Sequence, residues 1–230
     1  MGVATFHLTV LSLCISSSLV AGYFYSTESC GGVMTPEKWE GVLDYHNRMR
    51  LLIAHGREKN HTGKLPPAKN MYELSWDCDL EKKAEAIAKD EDFDLESISP
   101  NVANIAYKTH CTEHEVEYFF FFRKLLDRWR HEVREYGQTD PKNLYTDDSI
   151  EHFANMAYHK NTKIGCTYHR RGKAATFVCV YGEGPKWDEP IYEIGQRCKT
   201  NNECTTYKNS KCDMLCVKPK EGEKGKGMRE

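Results

Sequence analysis

The sequence has no G-x-S-x-G elbow, no G-x-x-x-x-G-K-[ST] phosphate loop and no dinucleotide fingerprint, which removes the commonest hydrolase, nucleotide and oxidoreductase signatures. Its ten cysteines include no C-x-x-C pair, so structural zinc and thioredoxin-like redox chemistry lack their usual spacing. Positive charge is not in excess: 32 Lys and Arg stand against 34 Asp and Glu, a formal net charge of -2. Neutralising phosphates takes a concentrated basic surface, so nucleic acid is not an expected partner. A bilayer span takes ~20 apolar residues, and the one candidate run, residues 6–21, is sixteen long. His131-Glu132-Val133-Arg134-Glu135 has a glutamate where a zincin helix needs its second histidine, and His114-Glu115-Val116-Glu117-Tyr118 fails in the same way.

What is present begins with an export signal. Residues 6–21 carry Leu8, Val10, Leu11, Leu13, Ile15, Leu19 and Val20, and lead to the small residues Val20-Ala21-Gly22, the layout of a secretory signal peptide over residues 1–22. Its removal takes Cys14 and leaves nine cysteines, at 30, 78, 111, 166, 179, 198, 204, 212 and 216. In an exported chain that density reads as a disulfide framework, and an odd number leaves one thiol over. Cys78 bridges either Cys30 or Cys111. The 230 residues are enough for one sizeable domain and an appendage.

Thr35-Pro36-Glu37 supplies an N-cap hydroxyl, a proline at the first helical position and an acid in the first turn. Trp39, Val42, Leu43, His46, Met49 and Ile53 then recur at helical spacing up to Gly56. His46 falls between apolar residues on that face and reads as a buried structural histidine. Residues 57–70 read as a loop holding Asn60-His61-Thr62, a glycosylation acceptor in a secreted chain. A second helix follows Asp77, residues 90–100 are patternless, and residues 104–107 suit a short strand. Thr112-Glu113-His114-Glu115 is a capping box that predicts a third helix starting there and running to Gly137. Phe119 to Phe122 within it form either an exposed patch or packing under a loop, and Trp129 reads as core. A fourth helix spans about 148–158. Runs 164–169 and 175–181 flank a Gly172-Lys173 turn, and in that register Cys166 faces Cys179 as a non-hydrogen-bonded pair, which predicts a disulfide. Cys198, Cys204, Cys212 and Cys216 then crowd a polar segment that buries little and relies on internal bridges, followed by a charged tail expected to be disordered over residues 219–230.

The order of these motifs is similar to the CAP superfamily, secreted proteins also called sperm-coating or venom-allergen-like proteins. His46-Asn47-Arg48-Met49-Arg50, with Ala54 and Gly56, resembles its H-N-x-x-R-x-x-x-A-x-G helix. His152-Phe153-Ala154-Asn155-Met156-Ala157-Tyr158, then Ile164-Gly165-Cys166, resembles its H-[FY]-T-Q-x-x-[WY] signature, and Phe177-Val178-Cys179-Val180-Tyr181-Gly182 its closing strand. Pro190-Ile191-Tyr192-Glu193-Ile194-Gly195 is similar to the form in parasitic nematodes. The resemblance implies an α+β fold, an α-β-α sandwich around a three-stranded antiparallel sheet. The domain would occupy 35–184, with a cysteine-rich hinge-like extension over 185–218. It also implies a cleft of two histidines and two glutamates, of which Glu132 and His152 persist. Ala103 replaces one carboxylate, and the second histidine falls near Ile98. One imidazole and one carboxylate leave most of a zinc shell unfilled, so the cleft pair is expected to bind no metal and no cofactor. The resulting expectation is a non-catalytic secreted protein that acts on host molecules. Phe153-Ala154-Asn155 resembles the hookworm inhibitors of neutrophil adhesion, pointing to host integrins. A sterol or fatty acid is the alternative partner, with Phe119 to Phe122 in an apolar crevice, and a metal-dependent hydrolase is disfavoured.

Overall fold

The computed structural model describes residues 30–90 and 92–220; the expected leader and most of the charged tail lie outside them. The elements in chain order are α1 (Pro36–Ala54), β1 (Ala68–Lys69), β2 (Ser75–Trp76), α2 (Cys78–Lys89), β3 (Val102–Lys108), α3 (Phe119–Glu135), α4 (Glu151–Ala157), β4 (Lys163–Arg171), β5 (Ala174–Tyr181), β6 (Glu193–Ile194), β7 (Lys211–Asp213) and β8 (Leu215–Val217), with short 3-10 turns between them.

Helix α1 buries Trp39, Val42, Leu43, Met49, Ile53 and Ala54, the apolar stripe of its sequence, with Lys38, His46 and Arg50 as buried polar members. Its start departs from expectation: the Thr35 hydroxyl makes no cap bond, and the Thr35 carbonyl instead accepts from the Lys38 and Trp39 N–H groups. Its end is as the glycine requires, with Gly56 at φ 63° turning the chain through the left-handed region that favours glycine. Helix α2 is capped by the Asp77 carboxylate, which accepts from Asp79 and Leu80 N–H at 3.0 Å each.

Helix α3 begins at Phe119, seven residues later than the capping box predicts. The box does form, Glu115 accepting from the Thr112 N–H and Thr112 from the Glu115 N–H, but it caps a single 3-10 turn, Glu115–Glu117. Tyr118 then takes an extended conformation. A box satisfies first-turn donors and does not set a helix's length. Phe121 and Phe122 are buried and Phe120 is exposed, so the aromatic run splits between core and solvent.

The main sheet has the order β2-β4-β5-β3. Its three long strands are antiparallel, and the two-residue β2 adds a parallel edge beside β4. The Gly172-Lys173 turn closes the β4–β5 hairpin with Cys166 opposite Cys179. Helices α1, α3 and α4 pack with one face of the sheet in the larger core cluster, which holds Phe122, Leu126, Trp129, Phe153 and Phe177. Helix α2 covers the other face, with Leu80, Ala84, Ile87 and Ala88 against Val178 and Val180. The C-terminal hairpin β7–β8 is stapled by Cys198–Cys212 and Cys204–Cys216. It docks through Tyr72, which is buried and meets Tyr207 edge-on at 4.9 Å. Cys30 pairs with Cys78, and Cys111 is a buried free thiol.

Candidate functional site

Glu132 stands on the last turns of α3 and His152 on the first turn of α4. Their side chains meet, with His152 Nδ1 2.7 Å from Glu132 Oε1. A carboxylate only accepts, so Nδ1 carries a proton and donates, and Nε2 points away from Glu132. Glu132 Oε2 is also engaged, accepting from the Phe153 N–H at 3.0 Å. The imidazole lies flat on Trp129, ring centroids 5.8 Å apart and planes 5° from parallel, and Phe177 stacks on Trp129 in turn. The His152 side chain keeps 35% of its surface exposed and Glu132 17%, so the pair forms a half-buried rim.

Nearby acids extend this rim. The Tyr145 hydroxyl donates to Asp148 at 3.0 Å. Burial holds the Glu151 carboxyl above the usual carboxylate range; His152 opposes the rise, while Asp148 and Glu132 add to it. Among the described residues, no His, Cys, Asp or Glu joins Glu132 and His152 in a set whose ligand atoms all lie within 4.8 Å of one another. Ala103 and Ile98 pack with the α2 cluster, whereas their neighbours Val102 and Asn104 turn to the other face: Val102 joins the larger core and Asn104 reaches His152. Positions 98 and 103 therefore add nothing beside the pair. A tightly held divalent ion wants three or four protein ligands, and these two residues, already bonded to each other, do not fit one. The sulfur atoms of Cys198, Cys204 and Cys216 do converge, but all three are consumed in disulfides.

Asn60, the glycosylation acceptor, is half-buried. Its Nδ2 donates to the Gln138 carbonyl at 2.8 Å and its Oδ1 accepts from the His61 and Gln138 N–H groups.

Three structural supports of this region have contacts that the sequence alone does not show. Arg50 is fully buried and donates to five backbone carbonyls, those of Tyr72, Met156, Tyr158, His159 and Asn161, which fixes the end of α4 and the strand approach to α1. Burial lowers its pKa to about 9, still well above neutrality. Glu58 has a fully buried side chain held by Arg130 and by Arg134, the latter at 2.9 Å, tying the 57–70 loop to the helix that carries Glu132. Asn104 lies under the site and donates to the His152 carbonyl at 2.9 Å. Of the three, only Arg50 stands in a motif quoted from the sequence, as the arginine of His46-Asn47-Arg48-Met49-Arg50.

A model of the Cysteine-rich secretory protein family, CAP, matches residues 43–181. Ancylostoma secreted protein of Ancylostoma caninum is 34% identical over 190 residues, covering 80% of this chain and 44% of that protein. Among solved structures, Na-ASP-1 superposes with a TM-score of 0.76 at 34% identity, covering 83% of this chain and 48% of its own. BmVAL-1 gives a TM-score of 0.76 at 28% identity, covering 84% and 99%. Hookworm platelet inhibitor shares the fold, with a TM-score of 0.57 at 23% identity over 78% of this chain and 89% of its own. The chain spans less than half the length of the Ancylostoma protein and of Na-ASP-1. With the sandwich, the cysteine-stapled hairpin and the match to residues 43–181 all in agreement, the chain belongs to the CAP, or cysteine-rich secretory protein, family.

Proposed function

We propose that this protein is exported by a parasitic nematode, after removal of residues 1–22, and works as a non-catalytic binding protein on a host macromolecule. The observation that carries this reading is the closed state of the cleft pair. Glu132 and His152 satisfy each other, Phe153 N–H takes the second carboxylate oxygen, and apolar residues stand at 98 and 103. The pair supplies only two ligands, and among the described residues no hydroxyl or thiol is hydrogen-bonded to His152, so the rim offers shape and hydrogen-bonding groups to a partner. Residues 35–184 form the binding domain in this scheme and residues 185–218 the stapled extension. The shared fold with hookworm platelet inhibitor and the resemblance at Phe153-Ala154-Asn155 support a cell-surface adhesion receptor of the integrin class as the partner. The apolar-ligand alternative gains little from the aromatic run, because Phe121 and Phe122 are spent in the core.

The test is a titration of the labelled secreted protein onto isolated leukocytes and platelets, with zinc content measured after dialysis. Saturable binding by metal-free protein, blocked by soluble integrin ectodomain, supports the reading. Stoichiometric zinc that survives dialysis, with an activity lost in His152→Ala, overturns it.

A further inference from the structure

A continuous chain of buried hydrogen bonds runs from α1 through the sheet to α4. His46 Nδ1 lies 2.8 Å from the Val42 carbonyl, and His46 Nε2 3.0 Å from the Tyr181 hydroxyl. Asn104 Nδ2 reaches both the Tyr181 hydroxyl, at 3.2 Å, and the His152 carbonyl, at 2.9 Å. Asn155 Nδ2 donates to Asn104 Oδ1 at 3.0 Å. His46, Tyr181, Asn104 and Asn155 are all buried, the first three with no exposed surface.

The two ends are backbone carbonyls, which only accept, and they set every proton between them. Val42 O requires the His46 proton on Nδ1. His152 O requires the NH₂ face of Asn104, so Asn104 also donates to Tyr181. Tyr181 then donates to His46 Nε2, which must be bare. A second proton on His46 would place two donors head to head at Nε2 and Tyr181. It would leave the Tyr181 proton without an acceptor or force the Asn104 amide to turn its oxygen against the His152 carbonyl. Leaving a buried donor or acceptor unpaired is costly.

We propose that this chain is an acid-sensitive latch: protonation of His46 breaks it and frees α4, with the Glu132–His152 rim, from the sheet. The ionisable groups facing His46 are Arg50, one turn along α1, and Tyr181 of β5; Tyr45 of α1 meets its ring edge-on at 6.3 Å. Glu132 of α3 acts on Tyr181, and His152 of α4 is reached through Asn104. Burial, opposed by the Val42 carbonyl and reinforced by Arg50, lowers the His46 pKa from 6.5 to about 4, so the closed latch resists protonation while the open one takes the proton readily. With those values the opening equilibrium rises about 50-fold between pH 7 and pH 4.5.

The experiment is hydrogen exchange by mass spectrometry on the full secreted protein, corrected for the intrinsic pH dependence of exchange. Amides of residues 151–158 are compared with those of α2 on the far face of the sheet. All measurements use a His159→Gln parent, which removes the other buried histidine; there the latch predicts a roughly 50-fold loss of protection in 151–158 between pH 7 and pH 4.5, through openings that stay cheaper than the global unfolding that α2 reports. In His46→Gln, whose amide oxygen still accepts from Tyr181 and cannot titrate, protection stays flat. Tyr181→Phe, which cuts the link without touching His46, gives protection in 151–158 that is lower at pH 7 and independent of pH. A flat profile in the His159→Gln parent, an equal fall in the added His46→Gln or Tyr181→Phe, or protection in 151–158 as high as that of α2 overturns the proposal.

Discussion

Arg50 shows how one side chain can organise three segments that are remote in sequence. It carries no carboxylate partner among its hydrogen bonds; its five contacts are carbonyls from residues 72, 156, 158, 159 and 161. Replacing it with methionine fills the volume and leaves those acceptors without their donor inside the protein. At about 1–3 kcal/mol for an unsatisfied buried group, Arg50→Met should cost at least about 3 kcal/mol in urea unfolding, and a loss below 1 kcal/mol would show that the carbonyls find other donors. The sequence could not announce this role, because backbone carbonyls carry no residue code and the partners lie 22 to 111 positions away. The bond from Asn104 to the His152 carbonyl is hidden for the same reason, and the contacts of Tyr181 with His46 and Asn104 are equally remote in sequence, whereas His46 is legible as buried from its place in the apolar stripe. A second buried histidine, His159, also has its pKa lowered from 6.5 to about 4 by burial, with Glu193 opposing and Lys160 and Arg50 assisting. Both histidines bind protons more readily when unfolded, so the stability they contribute is complete above about pH 6.5 and is lost as pH falls toward 4. Between pH 7 and 5.5 their combined loss is about 2 kcal/mol. Burial holds Glu73, Glu81 and Glu151 above the usual carboxylate range, which acts in the opposite direction. The histidine share is therefore isolated by comparing wild type with His159→Gln, whose denaturation midpoint should depend less on pH over this interval.

At the scale of elements, the parts governed by local rules were the legible ones. The β4–β5 register followed from a two-residue turn and the alternation of its flanks, and the start of α2 from Asp77. The start of α3 was misplaced because the capping box at Thr112 closes one turn and the chain must then extend at Tyr118 to bring Phe121, Phe122 and Leu126 onto the sheet. Gly165 belongs to the Ile164-Gly165-Cys166 motif, and the physical reason for a glycine there lies in packing. A Cβ added there would lie 2.1 Å from the Glu81 backbone nitrogen and 2.5 Å from the Leu80 carbonyl carbon, because α2 presses its first turn directly against β4. Backbone cannot yield as a flexible side chain does, so Gly165→Ala must push α2 off the sheet. We expect it to cost about 3 kcal/mol or more, at or beyond the usual overpacking penalty, and to expose the α2 cluster to limited proteolysis. A variant as stable as wild type would mean that α2 can ride farther from β4. Asp77→Ala, which removes the cap bonds to Asp79 and Leu80 and the ion pair with Lys163 at 2.9 Å, should cost about 1–2 kcal/mol and leave the packing intact.

For the whole molecule, the disulfide pattern ties the reading of the compartment to the reading of the architecture. Two bridges, Cys198–Cys212 and Cys204–Cys216, lie inside the small C-terminal unit, which has little core of its own beyond Tyr72, Tyr207 and the sulfurs. Cys30–Cys78 closes a 48-residue separation and fastens the chain ahead of α1 to the first residue of α2, while Cys166–Cys179 braces the central hairpin. The sequence left Cys30 and Cys111 as equal partners for Cys78, since neither falls in a register that fixes distance; the fold resolves it by carrying Cys111 to the hairpin end, where its N–H donates to the Lys173 carbonyl. Cys111 is 2% exposed, and burial, with Glu115 adding and Arg170 and Lys108 opposing, pushes its thiol pKa up. A buried thiol with little thiolate is a poor nucleophile, so native protein should react with an aromatic disulfide reagent at a rate far below that of a free cysteine. In denaturant without reductant, the proposed removal of residues 1–22 with Cys14 predicts one titratable thiol per chain; two would mean that residues 1–22 are retained, and none would mean that Cys111 is joined to another chain or to a small thiol. Peptide mapping of the same sample should recover the four bridges and alkylated Cys111. A Cys78–Cys111 bridge in that map would move the chain ahead of α1 off α2 and break the two-sided sandwich at its N-terminal seam.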